Sequence, residues 1–390
     1  MNVQFNSDAV SGMARTPGNA GALRRNFFLV TPSDEQCGVE SFARLLVNEL
    51  DADYPAAGYG LLPVSPRWRD LPALLRQVRH ADCIVFSVPL TSWKKLLVLP
   101  LVILLFARCV GCRVVVFMHE WAGLHRLRRI AFAPFVWFSS AILVVSPLIA
   151  GEIAQTRWLP GVGEKCRLVP NAPTVWPGEP LVTERVEQVR RAANNCDIVI
   201  GHFGALYKGK ASTALLDVCH YLRGRGVRAL IVFIGSFPPS LDGYEQQFWA
   251  KVAEYGIEDQ VIVTGYVSDD AELYTLFNEV GVFLYLFAEG LTARRSSVIH
   301  CLQSNRPVVV TEPRSMNEFA HHKGFQSVIA SGALSFIPAD ASPQTIADRL
   351  FDLAKRGGRT TQAIDSGAWW RATTAATHAA LSEGRLPDNR

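Results

Sequence analysis

Short apolar runs alternate with amphipathic stretches along almost the whole chain. A first series of β-type runs lies at 26–31, 60–64, 83–88, 112–118, 141–145 and 167–169, with helical periodicity between them, as at 39–50 and 71–79. A second series lies at 198–203, 229–234, 261–264, 282–286, 307–311 and 336–337, with helices near 212–223, 244–255, 270–278 and 295–304. Several runs are apolar at consecutive positions, the pattern of strands covered on both faces. Strand–helix alternation at this spacing predicts an α/β chain of parallel sheets with helices on both sides. Two series predict two such domains. Four prolines between 170 and 180 mark the join. No short-period repeat is visible.

Two apolar stretches raise the question of a membrane. Residues 96–107 are apolar for 12 positions, too short to span. Residues 130–151 run for 22 positions without a charge, behind Arg126, Arg128 and Arg129. Pro134 and Pro147 punctuate that stretch and Ser139-Ser140 divides it. The expected reading is an amphipathic helix over about 122–138, a buried strand at 141–145, and a new helix from about 148. The three arginines beside Phe132, Phe135, Trp137 and Phe138 predict peripheral contact with an anionic membrane surface.

Composition sharpens this picture. The 390 residues are 49% hydrophobic and 19% charged, enough apolar material for two cores and unlike a disordered chain. The net charge of +4 divides unevenly. Residues 1–178 hold 18 Lys and Arg against 12 Asp and Glu, which is +6, and the remainder hold 21 against 23, which is −2. A basic first half fits an anionic partner. No basic run or zinc-finger spacing indicates nucleic acid. Most of the eight cysteines sit in apolar runs, and the one CxxC, Cys109 and Cys112, has no second pair, so reduced thiols in a cytoplasmic compartment are expected. Residues 1–25 read as a tail without the apolar core of a signal peptide.

The chemistry is sought at strand-to-helix turns, where parallel sheets bind ligands. No GxGxxG follows a strand, which removes most of the case for a dinucleotide fold. Residues 204–210 read GxxxxGK, but Ala211 stands where a P-loop needs Ser or Thr for magnesium. Lys208 or Lys210 then either presents charge to a diphosphate or is a solvated pair at a helix start. The segment from Glu289 to Ser297 is richer. Gly290 permits close backbone approach and Thr292 is expected to cap a helix. Arg294, Arg295, Ser296 and Ser297 in its first turn make an anion site. Two arginines there oppose the helix dipole, a conflict that an anionic ligand removes. Glu289 either accepts sugar hydroxyls or pairs with an arginine.

Taken in order, these motifs resemble glycosyltransferases of family 4, the group 1 enzymes of GT-B architecture. Residues 37–46 resemble the family's glycine loop and following helix, and 116–120 its strand-end His motif. Val169, Pro170 and Asn171 resemble the segment closing its first domain. Phe203, Gly204, Lys208 and Gly209 resemble its basic donor-phosphate loop, and 233–235 and 263–267 its later strands. Glu289–Thr292 and 305–310 resemble the surroundings of its paired glutamates. The resemblance covers most of residues 26–380.

It implies a tail over 1–25, a Rossmann-like acceptor-side domain over 26–178 and a nucleotide-sugar-binding domain over 179–360. A C-terminal helix and tail over 361–390 pack back on the first domain. It implies transfer of a sugar, with retention, from a nucleotide sugar to a lipid-linked or polysaccharide acceptor at the inner face of the cytoplasmic membrane. His119 and Glu289 would be catalytic. Gly38, Gly204, Lys208, Gly290, Leu291, Thr292, Arg294, Arg295, Ser296 and Ser297 would bind the donor, with no metal and no cofactor. The chain departs from the family at Ala205, where an arginine is common. It departs again at the second glutamate, whose place falls to Ser297 or, aligned on Pro307, to His300. A non-catalytic binding or assembly subunit and a sugar-nucleotide epimerase are the rival readings.

Overall fold

The structure is a computed structural model that describes residues 26–31, 38–65, 67–89, 97–207, 212–238, 243–355 and 364–383. In chain order the first strands and helices are β1 (Asn26–Val30), α1 (Gly38–Asp53), β2 (Tyr59–Pro63), α2 (Leu71–Arg79), β3 (Cys83–Val88), α3 (Val98–Cys109), β4 (Arg113–Met118), α4 (Arg126–Phe138), β5 (Ala141–Val144), α5 (Pro147–Ala154) and β6 (Cys166–Leu168). There follow α6 (Glu184–Ala193), β7 (Ile198–Phe203), α7 (Ser212–Gly224), β8 (Ala229–Ile234), α8 (Tyr244–Tyr255), β9 (Val261–Val263), α9 (Asp270–Asn278) and β10 (Val282–Tyr285). The chain ends with α10 (Ser296–Gln303), β11 (Val308–Thr311), α11 (Lys323–Ala330), β12 (Leu334–Ile337), α12 (Pro343–Lys355) and α13 (Ser366–Ser382). It divides into two compact units, one running to Pro170 and resuming at Trp370, the other running from Asn171 to Trp369.

The first unit holds a six-stranded parallel sheet in the order β2-β1-β3-β4-β5-β6. All six residues of β3 are buried, as expected of a strand covered on both faces. The chain passes from β1 to β2 on one side and then places β3 on the other side of β1. A switch point therefore opens between the carboxyl ends of β1 and β3. The C-terminal helix is fastened onto this unit by polar contacts. Thr374 donates to Asp53 at 2.7 Å, Tyr59 Oη lies 2.7 Å from His378 Nδ1, and Arg113 donates to the carbonyls of Ala380 and Leu381. Asp51 and Asp53 lie at the end of α1, and Asp53 accepts from Thr374.

The second unit holds a six-stranded parallel sheet in the order β12-β11-β10-β7-β8-β9. Its strands alternate between two cores. Leu230, Val232, Ile234, Phe283 and Tyr285 enter one, while Ile231, Phe233, Val282 and Leu284 enter the other. Here the switch point lies between β7 and β10, the central pair.

No helix among the described residues is long and apolar enough to cross a membrane. The stretch at 130–151 is divided at its serines and at Pro147, while Pro134 lies inside α4: α4 ends at Phe138, β5 begins at Ala141, and Ser146 caps α5 ahead of Pro147. The aromatic face of α4 differs from the expected one. Phe132 and Phe135 are buried against the sheet side, where apolar area leaves water most completely. Leu127, Ile130, Trp137 and Phe138 instead form the exposed apolar stripe, beside exposed Arg126 and Arg128.

Candidate active site

In the first unit, Gly38 opens α1 at the carboxyl end of β1, exposed and with open space around its Cα. One turn later Phe42 sets its ring edge-on to His119, with centroids 5.8 Å apart. His119 follows β4, and its amide donates to Val88 O at 3.0 Å across the end of β3. Its imidazole stacks on Phe117 at 4.8 Å and 14°. The residue keeps an accessible margin, but Nε2 is buried without a hydrogen-bond partner. Burial lowers its pKa to about 4, so the ring is neutral at physiological pH. The start of α1 and His119 therefore meet at one end of the sheet, through Phe42.

In the second unit, two glycines are required by close approach at the strand ends. A Cβ on Gly235 would meet Gly204 O at 2.3 Å, and one on Gly290, at φ +78°, would meet Glu312 O at 2.2 Å. The backbone between β10 and α10 is then fixed by hydrogen bonds. Leu291 N–H donates to Thr311 O at 3.0 Å. Ala293 N–H donates to the buried Glu318 carboxylate at 2.8 Å, and Ala293 O accepts from Asn171 Nδ2 at 3.2 Å. Leu291, Thr292 and Ala293 are buried.

The charged residues of this loop converge. Glu289 Oε1 accepts from Arg294 Nη2 at 2.9 Å and also from Arg295 Nη2. The Arg295 guanidinium lies over the Phe287 ring, 4.5 Å from its centroid, and its Nη1 is 3.5 Å from Tyr207 Oη. Phe287 and Glu289 follow β10 while Tyr207 follows β7, so the cluster sits at the switch point. Burial alone would raise the Glu289 pKa, but hydrogen bonds and charge from Arg294 and Arg295 hold it below the ordinary carboxylate value.

Two sequence expectations are corrected here. Thr292 does not cap the helix: α10 begins at Ser296, Arg295 is its cap residue without a side-chain cap bond, and Thr292 Oγ1 is buried and unpartnered. Packing of Leu291 and Ala293 into the core draws Thr292 inward, while α10 itself starts within one residue of the helix expected near 295. Only Arg295 therefore stands at the helix start, with Arg294 before it. Glu289 supplies the neutralising anion that an external ligand was expected to supply. Ser296 and Ser297 do occupy the first turn, where the Ser296 amide already donates to Arg294 O. Lys208 lies outside the described residues.

Of the two positions matching the second glutamate, Ser297 is partly exposed and His300 is enclosed. His300 Nε2 accepts from Thr174 N–H at 3.0 Å, which places the ring proton on the buried, unpartnered Nδ1. Sequence reasoning missed Tyr207, Phe287, Glu318 and Tyr285. The Tyr285 hydroxyl accepts from Phe203 N–H and donates to Phe203 O, at 3.2 and 3.0 Å, tying β10 to the end of β7. Only the polar end of an otherwise apolar strand hinted at Tyr285.

Comparisons with known proteins bear on this arrangement. Residues 197–356 match the family model described as glycosyl transferases group 1. No curated protein matches the chain. Among solved structures, Anabaena HepE in complex with UDP-glucose is similar over 93% of this chain and 99% of that one, with a TM-score of 0.63 at 13% identity. The lipopolysaccharide outer core galactosyltransferase WaaB is similar over 92% and 99%, with a TM-score of 0.57 at 11% identity. Sucrose-phosphate synthase from Thermosynechococcus elongatus is similar over 92% and 94%, with a TM-score of 0.54 at 15% identity. Two Rossmann-like units in this order make the fold GT-B.

Proposed function

We propose that the chain is a nucleotide-sugar-dependent glycosyltransferase. It transfers a sugar from the donor to a lipid-linked or polysaccharide acceptor in cell-surface polysaccharide biosynthesis, with retention. The observation that carries this reading is the Glu289, Arg294 and Arg295 cluster at the switch point of the second sheet. It is supported by the family match over the same unit and by the UDP-glucose in the HepE structure. Arg294, Arg295 and Lys208 stabilise charge that develops on the leaving diphosphate, electrostatic help rather than covalent catalysis. Gly204 and Gly290 contribute donor contacts from the strand-end loops, Leu291 and Thr292 hold the second of these loops from beneath, and Ser296 and Ser297 present the start of α10. Gly38 contacts the diphosphate and neutral His119 the donor sugar, as the family resemblance implies. No metal takes part. The outward stripe of α4, with its arginines, rests on the inner face of the cytoplasmic membrane.

The test is donor turnover. Purified protein incubated with UDP-, GDP- and ADP-sugars and an acceptor-bearing membrane extract is expected to release nucleoside diphosphate with one of them, and His119→Ala to reduce that release at least about a hundredfold. Failure of every donor to raise the melting temperature or to be consumed would overturn the reading. One observation favours a non-catalytic subunit: neither Ser297 nor enclosed His300 replaces the second carboxylate. Such a subunit would bind a donor without consuming it, and an epimerase would convert it without acceptor.

A further inference from the structure

We infer that Glu289 is an internal stand-in for a diphosphate: its carboxylate occupies the Arg294–Arg295 pair in the unliganded chain and leaves when an anionic ligand takes both guanidinium groups. This deepens the donor-site reading and rests on it for the identity of the natural ligand.

The geometry separates a fixed part of the cluster from a movable one. Arg295 has supports that do not involve Glu289, namely the Phe287 ring beneath it and the Tyr207 hydroxyl beside it. The backbone carrying both arginines is anchored through Leu291 to Thr311 and through Ala293 to Glu318 and Asn171. Glu289 lies before these anchors. Its side chain is also the most accessible of the three, 30% exposed against 20% for Arg294 and 15% for Arg295. A rotation of this one side chain would carry the carboxylate into water and leave the guanidinium pair standing.

The present occupancy is also incomplete. A single oxygen receives both arginines, although a guanidinium fork is built to engage two acceptor oxygens at once. Arg295 Nε is buried with no partner, and Thr292 Oγ1 is as well. The charges of Glu289, Arg294 and Arg295 sum to +1. A diphosphate brings more negative charge and more acceptor oxygens than one carboxylate, so it can displace Glu289 where a weaker anion cannot. Because Glu289 is held ionised by the arginines, it competes throughout the neutral pH range. The expected consequences are a lowered affinity for all anions, as for any ligand whose competent state is partly populated, and selection for diphosphates over monoanions.

The experiment is calorimetric titration of the full chain with inorganic pyrophosphate and, separately, orthophosphate. Glu289→Gln, which keeps shape and removes charge, is expected to bind pyrophosphate about tenfold tighter than wild type and to lose discrimination against orthophosphate. Glu289→Asp keeps the charge but falls short of two guanidinium groups, and is expected to bind a few-fold tighter. Arg294→Ala should bind about tenfold more weakly, and adding Glu289→Gln to it should recover affinity. Unchanged or weaker binding by both Glu289 variants, or a double variant weaker than Arg294→Ala alone, would overturn the inference. Donor turnover by wild type reports separately on the glycosyltransferase reading. Turnover without tighter pyrophosphate binding in the variants defeats only the stand-in, and tighter binding without turnover defeats only the donor assignment.

Discussion

Phe42 of α1 stacks on Trp370 of α13 with ring centroids 5.7 Å apart and planes 24° apart. The same Phe42 ring stands edge-on to His119. Three aromatic rings, from a helix near each end of the chain and from the end of β4, thus determine where the imidazole sits. Trp370 is 3% exposed, and its stack adds to the area it buries.

Trp370→Ala is therefore expected to cost about 3–5 kcal/mol of stability through the cavity it leaves. The milder Trp370→Phe should retain most of that stability. It should nevertheless reduce turnover, because the support behind Phe42 is smaller. Melting temperature and donor consumption measured on the same preparations check this. Normal turnover per folded molecule in Trp370→Phe would show that the stack serves stability alone.

Glu318 contributes through its hydrogen bond to the Ala293 amide. Glu318→Ala would leave that buried N–H unpaired, a loss of about 1–3 kcal/mol. Glu318→Gln retains an acceptor oxygen and is expected to restore most of the melting temperature. Nucleotide affinity should fall in Glu318→Ala and recover in Glu318→Gln, since the loop carrying Arg294 and Arg295 hangs from this bond.

The legible parts of the fold share a physical cause. The runs at 83–88, 198–203 and 229–234 coincide with β3, β7 and β8, and 244–255 and 270–278 coincide with α8 and α9. Consecutive apolar residues ending at Gly or Pro leave little choice of structure. Helix α6 is not distinct in the sequence pattern, because its buried apolar face is narrow, Val186 and Val189 alone. The helix expected near 295–304 agrees with α10, but Thr292 does not cap it, because it has the residue type of a cap and the burial of a core position. At the site, residues close in sequence are readable, namely Glu289, Gly290, Arg294 and Arg295. Glu318, 25 residues from Ala293, and Tyr207, across the switch point, are not. Nothing in local spacing reports a contact that only strand order creates.

Burial sets the response to acid. His300 has its pKa lowered to about 4 by desolvation, against an ordinary 6.5 in the unfolded chain. Above pH 6.5 neither state is protonated there and stability is intact. As pH falls from 6.5 toward 4 the unfolded chain takes up the proton first, and stability is lost across that window. A tenfold difference in proton affinity between the two states corresponds to about 1.4 kcal/mol, so the loss from this residue approaches about 3 kcal/mol. His300→Gln retains an acceptor within reach of Thr174 and does not titrate. Its melting temperature should fall less steeply between pH 6.5 and 4 than that of wild type. Parallel profiles would remove His300 as the source of acid sensitivity.

The proposed membrane contact can be resolved into its two components. The outward stripe of α4 presents Leu127 at 69% and Ile130 at 61% exposure, an arrangement water does not favour unless something covers it. Arg126 and Arg128 flank it, and each basic residue near an anionic surface contributes about 1 kcal/mol that salt screens. Flotation with vesicles containing phosphatidylglycerol is expected to carry wild type upward at low salt and to release most of it at high salt. Arg126→Ala with Arg128→Ala should weaken binding and flatten its salt dependence. Leu127→Ser with Ile130→Ser should weaken binding while preserving that dependence, because insertion is lost and attraction remains. Both pairs lie on the exposed face, away from buried Phe132, Phe135 and Val136, so melting temperatures should barely change. Unaltered flotation of both double variants would place the membrane-facing surface elsewhere on the chain.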